Sequence, residues 1–112
     1  MVLDISTING ITIVLIPERL DTENSPAAEK ELAGVMEQKG AKVHLDFSGT
    51  RYLASAGLRV LLSSTRTILK NGGRVVLSSL SPQVRQIFEI AGFTKIFVIA
   101  GSRDEALALL QK

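Results

Sequence analysis

The chain has no cysteine and no tryptophan, and among its 112 residues there is one tyrosine, one histidine and three prolines. Without cysteine there can be no disulfide, no thiolate nucleophile and no cysteine-built metal site, and nothing argues for an oxidising compartment; a cytoplasmic protein is expected. The lone histidine, His44, has no histidine or cysteine at ligand spacing, so neither a metal nor a cofactor is expected. Aromatic residues are 4% of the chain, too few for base-stacking platforms. The 13 basic and 11 acidic residues are interspersed rather than segregated, so the net charge of +2 builds no nucleic-acid face, and no direct nucleic-acid partner is expected. The apolar run from Ile11 to Ile16 is too short to span a bilayer and has no basic segment before it, which argues against a membrane or secreted protein.

Signatures of catalysis are missing as well. Neither the Gly-Lys-Ser/Thr phosphate loop nor the Gly-x-Gly-x-x-Gly fingerprint occurs, and Gly72-Gly73 stands where a helix ends and a turn is needed. Ser55 is not in a nucleophile elbow, because Leu53 rather than glycine stands two residues before it. Asp21 and Glu23 share a loop, but no further carboxylate joins them to form a metal site or an acid/base pair. These absences predict a protein that is not an enzyme.

What is present is an ordinary globular composition, 46% hydrophobic and 21% charged, in a length suited to a single domain over residues 1–112. Leu3, Ile5 and Thr7 alternate with polar residues, and Asn9-Gly10 then leads into a β-branched run, the pattern of a hairpin with a tight primed turn. Glu18 to Asn24 reads as a loop, and Ser25-Pro26 as the start of a helix carrying Ala28, Leu32, Val35 and Met36 inward. Val43, Leu45 and Phe47 alternating with Lys42, His44 and Asp46 predict a strand, Ser48 to Ala56 a loop, and the residues from Gly57 a second helix. Leu58, Leu61, Leu62, Thr65, Ile68 and Leu69 would form its buried stripe.

Val75-Val76-Leu77 predicts a strand covered on both faces. Ser81-Pro82 opens a third helix with Val84, Ile87, Phe88 and Ala91 inward, Ile96 to Ile99 forms a fifth strand, and Ser102 with Glu105 forms a capping box for a last helix. The class is α/β: an N-terminal hairpin, then strands and helices in alternation, with about five strands in a mixed sheet and about four helices.

Leu45-Asp46-Phe47, then Tyr52-Leu53-Ala54-Ser55-Ala56-Gly57-Leu58 and Leu61-Leu62, resemble a strand leading through a phosphorylation loop, Asp-Ser-Ser/Thr-Gly-Leu, into an amphipathic helix. This is the motif of the STAS-domain anti-sigma-factor antagonists. The resemblance continues in Asn71-Gly72-Gly73-Arg74-Val75-Val76, in Leu80-Ser81-Pro82-Gln83-Val84 through Ile90-Ala91-Gly92-Phe93, and upstream in Glu18-Arg19-Leu20-Asp21. It implies that Ser55 is the residue phosphorylated by an anti-sigma factor that doubles as a serine kinase. It also implies that Asp21, Thr22, Ala54, Ser55, Ala56, Gly57 and Leu58 face that protein partner. Serine suits a helix cap too, so Ser55 is expected at the start of the second helix in either role. Arg59, Ser63, Arg66 and Lys70, spaced by three and four, form a basic stripe beside the loop, of which Arg59 and Arg66 would edge the interface. A monomer or weak dimer without cofactors is expected. The alternatives within the same residues are a STAS-like subunit of a larger assembly, such as a lipid-transport complex or sensory scaffold, and a small nucleotide- or lipid-binding domain.

Overall fold

The computed structural model describes every residue from Met1 to Lys112. Asn9 and Gly10, at φ of 52° and 79°, turn the chain between β1 (Asp4–Ile8) and β2 (Ile11–Leu15), which pair antiparallel as the Asn-Gly signal requires. After the short β3 (Arg19–Leu20) the chain alternates: α1 (Ser25–Met36), β4 (Lys42–Asp46), the short β5 (Tyr52–Leu53), α2 (Ser55–Lys70), β6 (Arg74–Ser78), α3 (Pro82–Ile90), β7 (Val98–Ala100) and α4 (Arg103–Gln111). The main sheet runs β1-β2-β4-β6-β7, parallel except at the hairpin. Each crossover advances in the same direction across it, so the right-handed rule puts α1, α2 and α3 on one face. Only α4 covers the other.

The register sorts the core accordingly. Val14, Leu45, Val43, Val75 and Leu77 point toward α1–α3 with Leu32, Leu61, Ile68 and Phe88, while Ile11, Ile13, Val76 and Ala100 meet Ala106 and Leu110 of α4. Phe88 stands edge-on to Phe47 at 5.8 Å and to Phe97 at 5.5 Å, tying α3 to the sheet. Arg74 donates to the carbonyls of Leu109 (2.7 Å) and Lys112 (3.0 Å), a cation placed on the last turn of α4. No helix is long and apolar enough to cross a membrane.

β4 departs from its half-buried pattern. His44 and Asp46 occupy the polar positions of the alternation, yet both are buried because α4 closes the face they share. They keep polar partners: His44 Nε2 lies 2.6 Å from Ser78 Oγ, and the Asp46 carboxylate accepts from Ser48 N–H at 2.9 Å. His44 Nδ1 has none. Burial holds the His44 imidazole below its ordinary range; Asp46 pulls it up and Arg103 pushes it further down. A folded-state pKa below the unfolded value of about 6.5 means that the unfolded chain binds the proton more readily. The stability this histidine confers is therefore complete above about pH 6.5 and is lost as pH falls toward its folded-state value. Thermal melts from pH 7.5 down to 5 are expected to show a declining midpoint, with a shallower decline in His44→Gln. Equal slopes in the two proteins would rule out His44 as the source. The Glu31 carboxylate accepts from Val2 and Leu3 N–H, and these backbone bonds hold it below its ordinary range.

The helices begin and turn differently from their sequence signals. Ser25 is not the cap of α1 but its first residue, donating its hydroxyl to the Asp21 carbonyl, while Asn24 takes the cap position. α2 begins at Ser55, two residues before Gly57, and buries Gly57, Val60, Leu61, Ser64, Thr65 and Ile68. The stripe is rotated from the expected one, leaving Leu58 and Leu62 half-buried and Leu69 exposed. Ser64 and Gly57 are the reason: a small residue can face inward at close helix contacts without adding to the apolar pattern. Ala91, expected inward, lies exposed beyond the end of α3, and the last strand comes later than Ile96. The caps of α3 and α4 follow expectation: Ser81 Oγ accepts from Val84 N–H and Ser102 Oγ from Glu105 N–H, each at 3.2 Å. The Glu105 carboxylate reaches back to Gly101 N–H rather than to Ser102.

Candidate functional site

Both segments read as loops, Glu18 to Asn24 and Ser48 to Ala56, contain a two-residue strand, and these strands pair with each other. β3 and β5 run parallel with Arg19 opposite Tyr52 and Leu20 opposite Leu53, and Ala54 N–H donates to the Leu20 carbonyl at 2.9 Å. The pairing sets Asp21 and Thr22 beside Ala54 and Ser55, joining the two stretches that the family resemblance singled out. Arg19 lies over the Tyr52 ring, 4.6 Å from its centroid, and fastens the same junction from outside. Gly57 lets the strand come this close: a Cβ there would stand 2.8 Å from the Leu20 carbonyl oxygen and 2.9 Å from Leu20 Cγ.

Ala54, extended at φ −85° and ψ 167°, occupies the cap of α2 and offers no side-chain bond to the free N–H groups. Ser55 is the first helical residue and is exposed, so its hydroxyl is presented outward and does not cap the helix. It stands at the positive end of a 16-residue helix whose first turn holds no acidic side chain and whose last turn ends on Lys70. An anion placed on Ser55 Oγ would meet a favourable field and no competing carboxylate from its own helix.

Asp21 has a different part. Its carboxylate accepts from the N–H groups of Glu23 (3.0 Å) and Asn24 (3.1 Å), and Asn24 Oδ1 accepts from Asp21 N–H at 2.8 Å, so the pair hold the loop into α1. The Arg19 guanidinium approaches the carboxylate only to 3.9 Å. Thr22 is exposed and faces Arg59 across a cleft of about 270 Å³ between the first turns of α1 and α2, which Ala56 also lines. Arg59 is one turn from Ser55 on the same helix face. Arg66 shares that face but lies three turns along, roughly 16 Å away at 1.5 Å per residue. Neither arginine makes an ion pair; the pairs present are Arg19–Asp21 and Arg85–Glu89.

On the other flank of Ser55, Leu58 faces Tyr52, Ile87 and Ile90 across a groove. Tyr52, Ile87 and Ile90 are not among the site residues that the sequence suggests. The available signal was Ile90, an apolar residue off the inward stripe of the third helix. A larger polar cleft of about 560 Å³ lies between the segment Ser48 to Arg51 and the start of α3, with no hydrophobic lining.

A mixed five-stranded sheet with three helices on one face and one on the other, and an exposed serine opening the second helix, define a small α/β domain. The chain belongs to the STAS domain family, whose profile matches residues 3–106. It is 37% identical over 108 residues to BtrV of Bordetella bronchiseptica, a candidate anti-sigma factor antagonist, covering 96% of this chain and 93% of that protein. Its fold is similar to an anti-sigma-factor antagonist (STAS) domain protein of Planctomyces limnophilus, with a TM-score of 0.90 at 17% identity over 98% of each chain. It is also similar to the phosphorylated form of the Bacillus cell fate determinant SpoIIAA, with a TM-score of 0.73 at 19% identity over 96% of this chain and 98% of that one.

Proposed function

We propose that this protein is an anti-sigma-factor antagonist. It is a non-enzymatic, cytosolic switch that captures an anti-sigma factor through the Ser55 surface and releases it when that partner, acting as a serine kinase, phosphorylates Ser55. The observation that carries the reading is the exposed Ser55 hydroxyl at the N-terminus of α2, held beside Asp21 and Thr22 by the β3–β5 pairing. Phosphoryl transfer here needs no group from this chain beyond the acceptor. Ser55 Oγ forms a bond to the γ-phosphorus of ATP, the bond to the β-phosphate oxygen breaks, ADP leaves and the hydroxyl proton passes to the kinase. The product adds close to two negative charges where the helix dipole tolerates them, so the fold persists while the surface changes sign. Ala54 and Ala56 leave Ser55 as the only hydroxyl between Leu53 and Leu58, which makes the test clean.

Tagged protein is used to recover its partner from the native cytosol, and the complex is given γ-labelled ATP. The expected result is recovery of a kinase-type ATPase and label on Ser55 that is absent from Ser55→Ala. Recovery of transporter subunits in its place, or label that persists in Ser55→Ala, would sink the reading.

A further inference from the structure

The valley between α2 and α3 opens beside Ser55. α2 lies close along α1, but on its other side it meets β5, which separates it from α3. The result is an open groove of about 310 Å³, walled by Leu58 on one side and by Ile87, Ile90 and Ala91 on the other, floored by Tyr52 and Leu53, with Ser55 at its mouth. Ile90 is 80% exposed. Helical spacing continues the Leu58 wall through Leu62 to Leu69, itself 49% exposed. Single exposed leucines are ordinary on a soluble protein; a row of apolar side chains lining one concavity marks a contact surface.

The charges around the groove select its occupant. Along the ridge of α2 above the leucine wall stand Arg59, Arg66 and Lys70, without ion pairs, and no acidic residue occurs between Ser55 and Lys70. The unpaired charge along the α2 ridge beside the groove is therefore positive. We propose that this groove is a docking surface for an acidic amphipathic segment of the protein partner. A leucine-type side chain sits between Leu58 and Ile90, and flanking carboxylates lie against Arg59 and Arg66. The inference rests on the antagonist reading, because it takes the occupant to be part of the protein that acts on Ser55. A second copy of this chain fits less well, since two such rims would oppose like charge.

The test places benzoylphenylalanine at position 90 of the full chain, irradiates it in native cytosol and maps the joined peptide by mass spectrometry. The expected peptide belongs to a kinase-type ATPase and carries a large aliphatic residue flanked by aspartate or glutamate. Ile90→Asp, and separately Arg59→Glu with Arg66→Glu, are each expected to raise the dissociation constant for that protein by about tenfold or more. Position 90 is exposed, so the melting temperature of Ile90→Asp should stay within about 2 °C of wild type. Joining to a second copy or to lipid, or an unchanged affinity in both variants, overturns the proposal. Weakening by Ser55→Asp alone removes the groove and leaves the antagonist reading. A joined acidic peptide from a protein that neither phosphorylates Ser55 nor responds to Ser55→Asp keeps the groove and removes the antagonist reading.

Discussion

Leu61→Asp is expected to abolish the folded state, while Leu62→Asp, one residue further along the same helix, leaves a protein that still melts cooperatively. Leu61 is 1% exposed and lies in the main core beneath α2. A carboxylate there loses its hydration with no cation or donor to replace it, a penalty of several kcal/mol even after the group takes up a proton. The whole domain has about 5–15 kcal/mol to lose, and the leucine's own packing goes at the same time. Leu62 is only half-buried at the edge of the same core. Its aspartate keeps access to water, and the loss is confined to part of one side chain's burial, about 1–2 kcal/mol. Circular dichroism melts of the two variants decide the matter. Comparable melting would place both leucines at the same depth and return the helix to the phase its leucines alone suggest.

That phase shows where sequence stops informing structure. The leucines of α2 at positions 58, 61, 62 and 69 make a convincing stripe, but the buried face is centred on Gly57, Val60, Ser64 and Ile68. Small and hydroxyl-bearing residues are silent in a hydrophobic pattern, yet they are what a helix places against a close neighbour. The α1–α2 contact and the approach of β3 to Gly57 both exist only in three dimensions. The same holds for β3 and β5: a two-residue strand has no period, and its pairing joins positions more than thirty residues apart. His44 and Asp46 look like the wet side of a strand until α4 returns from the end of the chain to cover them. Signals confined to a few residues fared better. The Asn9-Gly10 turn, the Ser81 and Ser102 caps and the order of strands and helices were all legible, because each depends on chain geometry within a turn or two. Ser55 was legible through its resemblance to a family motif. The groove beside it was not, since its far wall comes from α3.

Ser55→Asp is expected to weaken binding of the proposed anti-sigma-factor partner by about tenfold or more while leaving the melting temperature within a few degrees of wild type. On the side of the fold, position 55 is exposed at the first residue of α2, where a negative charge gains about 0.3–1 kcal/mol from the free N–H groups and displaces no existing hydrogen bond of the cap. On the side of the complex, the same charge must give up water against the partner's surface. A tenfold loss corresponds to 1.4 kcal/mol, a modest demand for a desolvated carboxylate without a matched donor. Arg59 stands one turn away without an ion pair and can swing toward position 55, so part of the charge is neutralised before the partner arrives. Titration calorimetry of wild type, Ser55→Ala, Ser55→Asp and Ser55→Asp with Arg59→Gln separates these contributions. Because Arg59→Gln also removes one cation from the rim, its effect in a wild-type Ser55 background is subtracted as the fourth corner of the cycle. The coupling should make Ser55→Asp more damaging when Arg59 is absent. If all five proteins bind alike, the Ser55 loop lies outside the interface, and the partner must be recognised through some other surface of the fold.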